Sequence, residues 1–260
     1  MKKWLRFLPV LVLMSVTFTF VQAAELDKQE HLDARVQQEI KDYKKAISEN
    51  TGEGLIVVLD RLTGIGATDR ALYEQLEAEV EKSFNRHLAN KKDKLEAQVL
   101  NSLIRAYASM GYPESEAWVV KLREDSKSRG VRNRAHRLVR KIDWFNLRNK
   151  YMNKVEYYEP EQKLMTHRYL GLINSGTPTL MRWAAEEINR QHGAEPEVYE
   201  AIRKVLKADV HSVQGDTHLD ALAWFCKILK KFDLNDSKEL LQTIAKDPKT
   251  HKKIVKYTSI

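Results

Sequence analysis

Val99-Leu100-Asn101-Ser102-Leu103-Ile104-Arg105-Ala106-Tyr107 and, 122 residues further on, Ala221-Leu222-Ala223-Trp224-Phe225-Cys226-Lys227-Ile228-Leu229 carry one apolar pattern twice. Sliding residues 98–126 onto 220–248 pairs apolar with apolar at Val99/Ala221, Leu100/Leu222, Leu103/Phe225, Ile104/Cys226, Tyr107/Leu229, Met110/Phe232, Tyr112/Leu234, Trp118/Leu240, Val119/Leu241 and Leu122/Ile244. Spacings of three and four belong to one face of a helix. The same shift sets Ser115 on Ser237, each expected to cap a helix. A shift of 66 places a fainter copy between the two, with Leu103, Ile104, Tyr107, Trp118, Val119 and Leu122 on Tyr169, Leu170, Ile173, Ala184, Ala185 and Ile188. One residue more sets Val131, Ala135, Leu138 and Val139 on Val198, Ile202, Val205 and Leu206. Self-similarity of this kind marks a repeat architecture. Three units of about three helices are expected, at 93–143, 160–208 and 216–260, continuous with an N-terminal helical segment at 24–92.

The third helix of the first unit, Val131-Arg132-Asn133-Arg134-Ala135-His136-Arg137-Leu138, and the run Met181-Arg182-Trp183-Ala184-Ala185 resemble the Val-Arg-x-x-Ala core of HEAT-type, armadillo-like helical repeats. The resemblance spans about residues 95–258 and implies an all-α fold, an α-solenoid in which each helix pair is covered by its neighbour. An irregular helical bundle is the alternative. Only 10 Gly and 6 Pro in 260 residues agree with helices almost throughout. The expected exception is Gly54 to Leu62, where Leu55-Ile56-Val57-Val58-Leu59 reads as a strand, or else as a short buried helix. Residues 25–50 are polar and heptad-like, and 69–92 read as a helix beginning at Thr68 or Asp69.

Met1-Lys2-Lys3-Trp4-Leu5-Arg6 followed by the uncharged stretch Leu8 to Phe20 has the layout of an export signal, with cleavage expected after Ala23. Thirteen apolar residues are short for a bilayer-spanning helix, which needs about 20, although an uncleaved tether has the same layout. A periplasmic or secreted location is therefore expected, with no transmembrane segment after cleavage. Cys226 is the one cysteine, so no internal disulfide is possible, and its apolar neighbours predict burial.

Loss of Lys2, Lys3 and Arg6 would lower the formal charge from +8 to +5. From Lys121 to Lys154, 12 basic residues stand against Glu124, Asp125 and Asp143, a net of +9. On a wheel of 131–142, Val131, Ala135, Leu138, Val139 and Ile142 share one face, Arg137, Arg140 and Lys141 the opposite arc, and Arg132 and Arg134 the borders. Trp144, Phe145, Tyr151, Tyr157 and Tyr158 follow. Arginine forks hold carboxylate or phosphate groups, so Arg132, Arg134, Arg137, Arg140, Lys141 and Arg148 are the candidate binding residues. The bland reading is a solvated basic face.

An acidic envelope protein is the first expected partner. An anionic polymer or lipid headgroups come second, and export argues against nucleic acid. Catalytic signals are poor: there is no His-Glu-x-x-His, paired-Cys or Gly-x-Ser-x-Gly motif, and no metal or cofactor is expected. Asp216-Thr217-His218-Leu219-Asp220 reads as a helix start. Gly64-Ile65-Gly66-Ala67-Thr68-Asp69 is a turn that lacks the Lys of a phosphate loop. The expectation is a non-enzymatic binding or scaffold protein, with a cell-envelope hydrolase or lyase on a helical scaffold as the alternative; no catalytic carboxylate pair can be singled out.

Overall fold

The computed structural model describes residues 8–90 and 92–258, with 8–24 described by backbone alone. Among them the chain forms thirteen α-helices and no strand. These are α1 (Leu8–Glu49), α2 (Gly52–Gly64), α3 (Arg70–Ala89), α4 (Lys94–Ser109), α5 (Ser115–Asp125), α6 (Arg129–Val139), α7 (Ile142–Met152), α8 (Leu164–Ile173), α9 (Pro178–Arg190), α10 (Pro196–Asp209), α11 (Asp216–Phe232), α12 (Leu234–Lys246) and α13 (Lys252–Thr258). A 3-10 turn at Val155–Tyr157 links α7 to α8. The expected export signal at 1–23 lies outside the residues whose side chains are described. No helix among the described residues is long and apolar enough to cross a membrane.

Of the two readings of Gly54 to Leu62, strand or short buried helix, the fold takes the helix, α2. Leu55, Leu59 and Leu62 fall at helical spacing and are buried, whereas Val57, which a strand would have turned the same way as Leu55 and Leu59, is 51% exposed. Packing against α4 decides the matter over the β-branched composition. The helix expected at 69–92 forms as α3. Asp69 is its N-cap, accepting from the Leu72 amide at 2.7 Å.

Ser115 and Ser237 do not cap. Ser115 is the first residue of α5 and Ser237 lies within α12; both are buried, and their hydroxyls turn to Tyr73 at 3.5 Å and Asp233 at 2.5 Å. The segment 131–142 is likewise not one helix. α6 ends at Val139, Arg140 and Lys141 turn the chain, and α7 begins at Ile142. Val131, Ala135, Leu138 and Ile142 are nonetheless all buried, so the apolar face was read correctly across a bend.

Two apolar cores result, one of residues between Ile40 and Phe145, the other between Met152 and Ile254. Trp144 and Met165 pack against both. Positions paired by the 122-residue shift agree in burial: α4 begins at Lys94 and α11 at Asp216, and both members of Val99/Ala221, Leu100/Leu222, Leu103/Phe225, Ile104/Cys226 and Tyr107/Leu229 are buried. α4 packs on α2, α3 and α6, as α11 packs on α9, α10 and α13; α5 lies on α6 as α12 lies on α13. Gly171 of α8 lets α7 approach, since a Cβ there would collide with the Tyr151 carbonyl oxygen.

Candidate functional site

The bend after α6 swings α7 back so that one helix end and the next helix face the same space. A cavity of 270 Å³ lies there, walled by α2, α4, α6, α7 and α9. Its basic lining consists of Arg105, Arg134, Arg137, Lys141, Arg148 and Arg190, and its apolar lining includes Trp144, Phe145 and Trp183. No carboxylate lines it.

Of the six basic residues singled out in the sequence, the fold brings Arg134, Arg137, Lys141 and Arg148 together. It leaves two outside. Arg132 turns away to donate to the Ser126 carbonyl at 2.9 Å, and Arg140 is exposed at the bend. Arg105, Arg190 and Trp183 were missed by the sequence reading, because they arrive from α4 and α9 across the fold; only a charged position on the polar side of a well-marked apolar helix hinted at Arg105.

Arg148 forms the floor, 1% exposed. Its Nη1 donates to the Thr63 carbonyl at 2.9 Å and its Nη2 to the Ser109 carbonyl at 3.2 Å, and Nε and Nη2 both donate to Asn149 Oδ1, at 3.0 and 2.7 Å. Thr63 and Ser109 stand at the C-terminal ends of α2 and α4, where each helix carries about half a negative charge, so a cation can be buried there without a carboxylate. The rings of Phe145, Trp183 and Trp144 lie 4.9, 5.3 and 5.7 Å from its guanidinium carbon. Burial, with repulsion from Arg105 and Arg168, lowers its pKa to about 9. Arg134 is also lowered, first by burial and then by Arg105 and Arg137.

Partners divide these cations into two groups. Arg105 reaches Asp60 at 3.6 Å and Arg190 pairs with Glu187. Arg134, Arg137, Lys141 and Arg148 form no ion pair among the described residues. The second half of the chain offers a contrast between α11 and α13, where of the first cavity's lining only Arg105 has its 122-residue counterpart. There a cavity of 190 Å³ is lined by Lys227, which is Arg105 shifted by 122, together with Lys253, Trp224, Tyr257 and Asp220. Asp220 pairs with Arg182 at 3.2 Å and with Lys253, so this cavity carries its own counter-charge. In the first cavity only Arg105 and Arg190 have such partners, Asp60 and Glu187, and neither carboxylate lines it.

A larger groove of 800 Å³ adjoins the basic cavity and shares Gly64 and Arg190 with it. Glu39, Asp60, Glu187 and Glu195 line it. Each is held by a cation: Glu39 by both Nη groups of Arg168 at 3.1 and 2.5 Å, Asp60 by Arg105, Glu187 by Arg190, and Glu195 by Lys163. Each of these carboxylates is thus already engaged by a cation of the protein itself.

The Gly64 to Asp69 turn is structural: Asn153 donates to the Gly66 carbonyl at 2.9 Å, and Gly66, at φ +70°, sits against Met152. α11 opens at Asp216 with Gly215 before it, and no side chain caps it. Among the described residues no three His, Cys, Asp or Glu side chains are grouped to hold a metal. Cys226 is buried as expected, and burial raises its thiol pKa to about 12. A scan against protein-family models and searches of curated proteins and of solved structures find no match to this chain.

Proposed function

We propose that this chain is an exported, non-enzymatic binding or scaffold module, built as a HEAT-like α-solenoid, that holds an acidic protein partner at the basic cavity between α4, α6, α7 and α9. One observation carries the reading: Arg134, Arg137, Lys141 and Arg148 converge on a concave space that contains no carboxylate. The recurring helix neighbours of α4 and α11 support the solenoid arrangement. Recognition rests on shape and charge, so association weakens as salt rises.

Pull-down of an acidic envelope protein at low and high salt tests this. Capture is lost in high salt and in an Arg134→Glu/Arg137→Glu double variant but retained in Arg140→Glu, which changes charge outside the cavity. Capture undiminished in the double variant overturns the proposal. The groove lined by Glu39, Asp60, Glu187 and Glu195 is the observation that favours the second reading, a hydrolase or lyase of envelope polymer. Their ion pairs weigh against it, and polymer turnover abolished by Glu39→Gln or Glu187→Gln would reinstate it.

A further inference from the structure

Resting on the reading just given, we infer that the basic cavity is a seat for a phosphate-type dianion, entered by a phosphate group that projects from a larger ligand lying in the adjoining groove.

Room sets the first constraint. At 270 Å³ the cavity falls just below the range of about 300–1,000 Å³ that holds a whole small molecule, so it suits one compact group. The 800 Å³ groove, which shares Gly64 and Arg190 with it, has space for the rest.

Charge sets the second constraint. Arg134, Arg137, Lys141 and Arg148 share a space for one group that no carboxylate lines, so a group carrying more than one negative charge matches it better than a singly charged one. A carboxylate supplies one charge and one edge. A phosphate supplies close to two, on oxygens pointing in three directions, and can accept from α6 and α7 at once.

The division of labour among the cations follows from their contacts. Arg148 already spends four hydrogen bonds on Thr63, Ser109 and Asn149, so it positions the site and contributes field. Arg134, Arg137 and Lys141 have their charged ends available to the ligand.

The test uses the full chain and calorimetric or melting-shift titration at matched ionic strength. The probes are inorganic phosphate, pyrophosphate and glycerol phosphate, against acetate and succinate. Phosphate-type probes bind and raise the melting temperature, while the carboxylates do so at least about tenfold more weakly. Arg134→Ala and Arg137→Ala each weaken binding at least about tenfold, the usual worth of a charged hydrogen bond, and Arg140→Ala leaves it unchanged. Co-sedimentation with phosphatidate-containing vesicles, set beside glycerol phosphate, tells a lipid headgroup from a soluble ester as the source. Equal binding of succinate, an equal effect of Arg140→Ala, or no binding of any phosphate-bearing probe overturns the inference. Protein capture that depends on Arg134 and Arg137 without phosphate binding removes this inference alone; phosphate binding without such capture removes the acidic-protein reading instead.

Discussion

Replacing Arg148 by Met separates the two roles a buried cation can play. Arg148 is 1% exposed, and its loss strips the Thr63 carbonyl, at 2.9 Å, and Asn149 Oδ1, at 2.7 Å, of their donor. The Ser109 carbonyl keeps a donor in Asn149 Nδ2 at 2.9 Å. Two orphaned acceptors cost about 2–6 kcal/mol. Against this stands the cost of burying the charge. Burial and neighbouring arginines bring the guanidinium down to about 9, a gap worth about 5 kcal/mol that Met does not bear. The two effects largely cancel, so Arg148→Met is expected within about 3 kcal/mol of the parent, a melting shift of at most about 12 °C for a chain of this size.

The sign of the pH dependence is fixed by the same numbers. Burial lowers the guanidinium pKa, so the penalty for burying the charge is fully present at neutral pH and is relieved only in a strongly alkaline window. The parent therefore gains stability relative to the variant across that window. Anion binding, by contrast, is strongly weakened. Pyrophosphate at about a hundred times its Kd stabilises the parent by about 2.7 kcal/mol and the variant far less. Urea unfolding with and without pyrophosphate measures both. A loss above about 5 kcal/mol in Arg148→Met without ligand would refute this reasoning, because Arg148 would then be a clip for α2 and α4 rather than part of a charged seat.

Other consequences are open to direct measurement. Leu100→Ala and Leu222→Ala, at equivalent and fully buried positions of α4 and α11, should each cost about 2–5 kcal/mol in urea unfolding, and a negligible loss at either would contradict the paired packing. Gly171→Ala should cost about 1–3 kcal/mol or more, because the new Cβ meets the Tyr151 carbonyl rather than a side chain that can give way; an unchanged midpoint would show that α7 and α8 do not approach as described. His167 is buried and its pKa is lowered from 6.5 to about 4, chiefly by desolvation. The stability it protects is complete above pH 6.5 and is lost, by up to about 3 kcal/mol, as pH falls toward 4; His167→Gln should flatten that limb. Cys226, with its thiol raised to about 12, should resist alkylation in the native protein and react once urea unfolds it; rapid native labelling would contradict its burial.

The helical class was legible because Leu100, Leu103, Ile104 and Tyr107 repeat at three and four and their partners 122 residues later do the same. α2 was left open between strand and buried helix because Ile56, Val57 and Val58 suit either state locally, and only packing on α4 chose between them. The bend at Arg140 was invisible because Leu138 and Ile142 keep helical spacing across it. Half of the site could be read from one segment, since Arg134, Arg137, Lys141 and Arg148 are close in sequence. Arg105 and Arg190 could not, because a cavity wall formed by α4 and α9 is a product of tertiary arrangement, and a single arginine on a polar helix face has no local sign of its destination. The absence of a partner for the cluster was equally unreadable. Glu124, Asp125 and Asp143 are near in sequence, yet none lines the cavity.

Trp144 touches both apolar cores, and the basic cavity beside it draws its walls from α4 and α6 of one half and α9 of the other. Halves with separate cores are able to melt in separate steps. A ligand that needs walls from both is lost when either opens, so its binding energy is charged against each partial unfolding. Occupancy of the cavity would then do more than raise the melting temperature: it would merge two transitions into one, and the sharpness of unfolding, rather than its midpoint, would report whether the seat is filled.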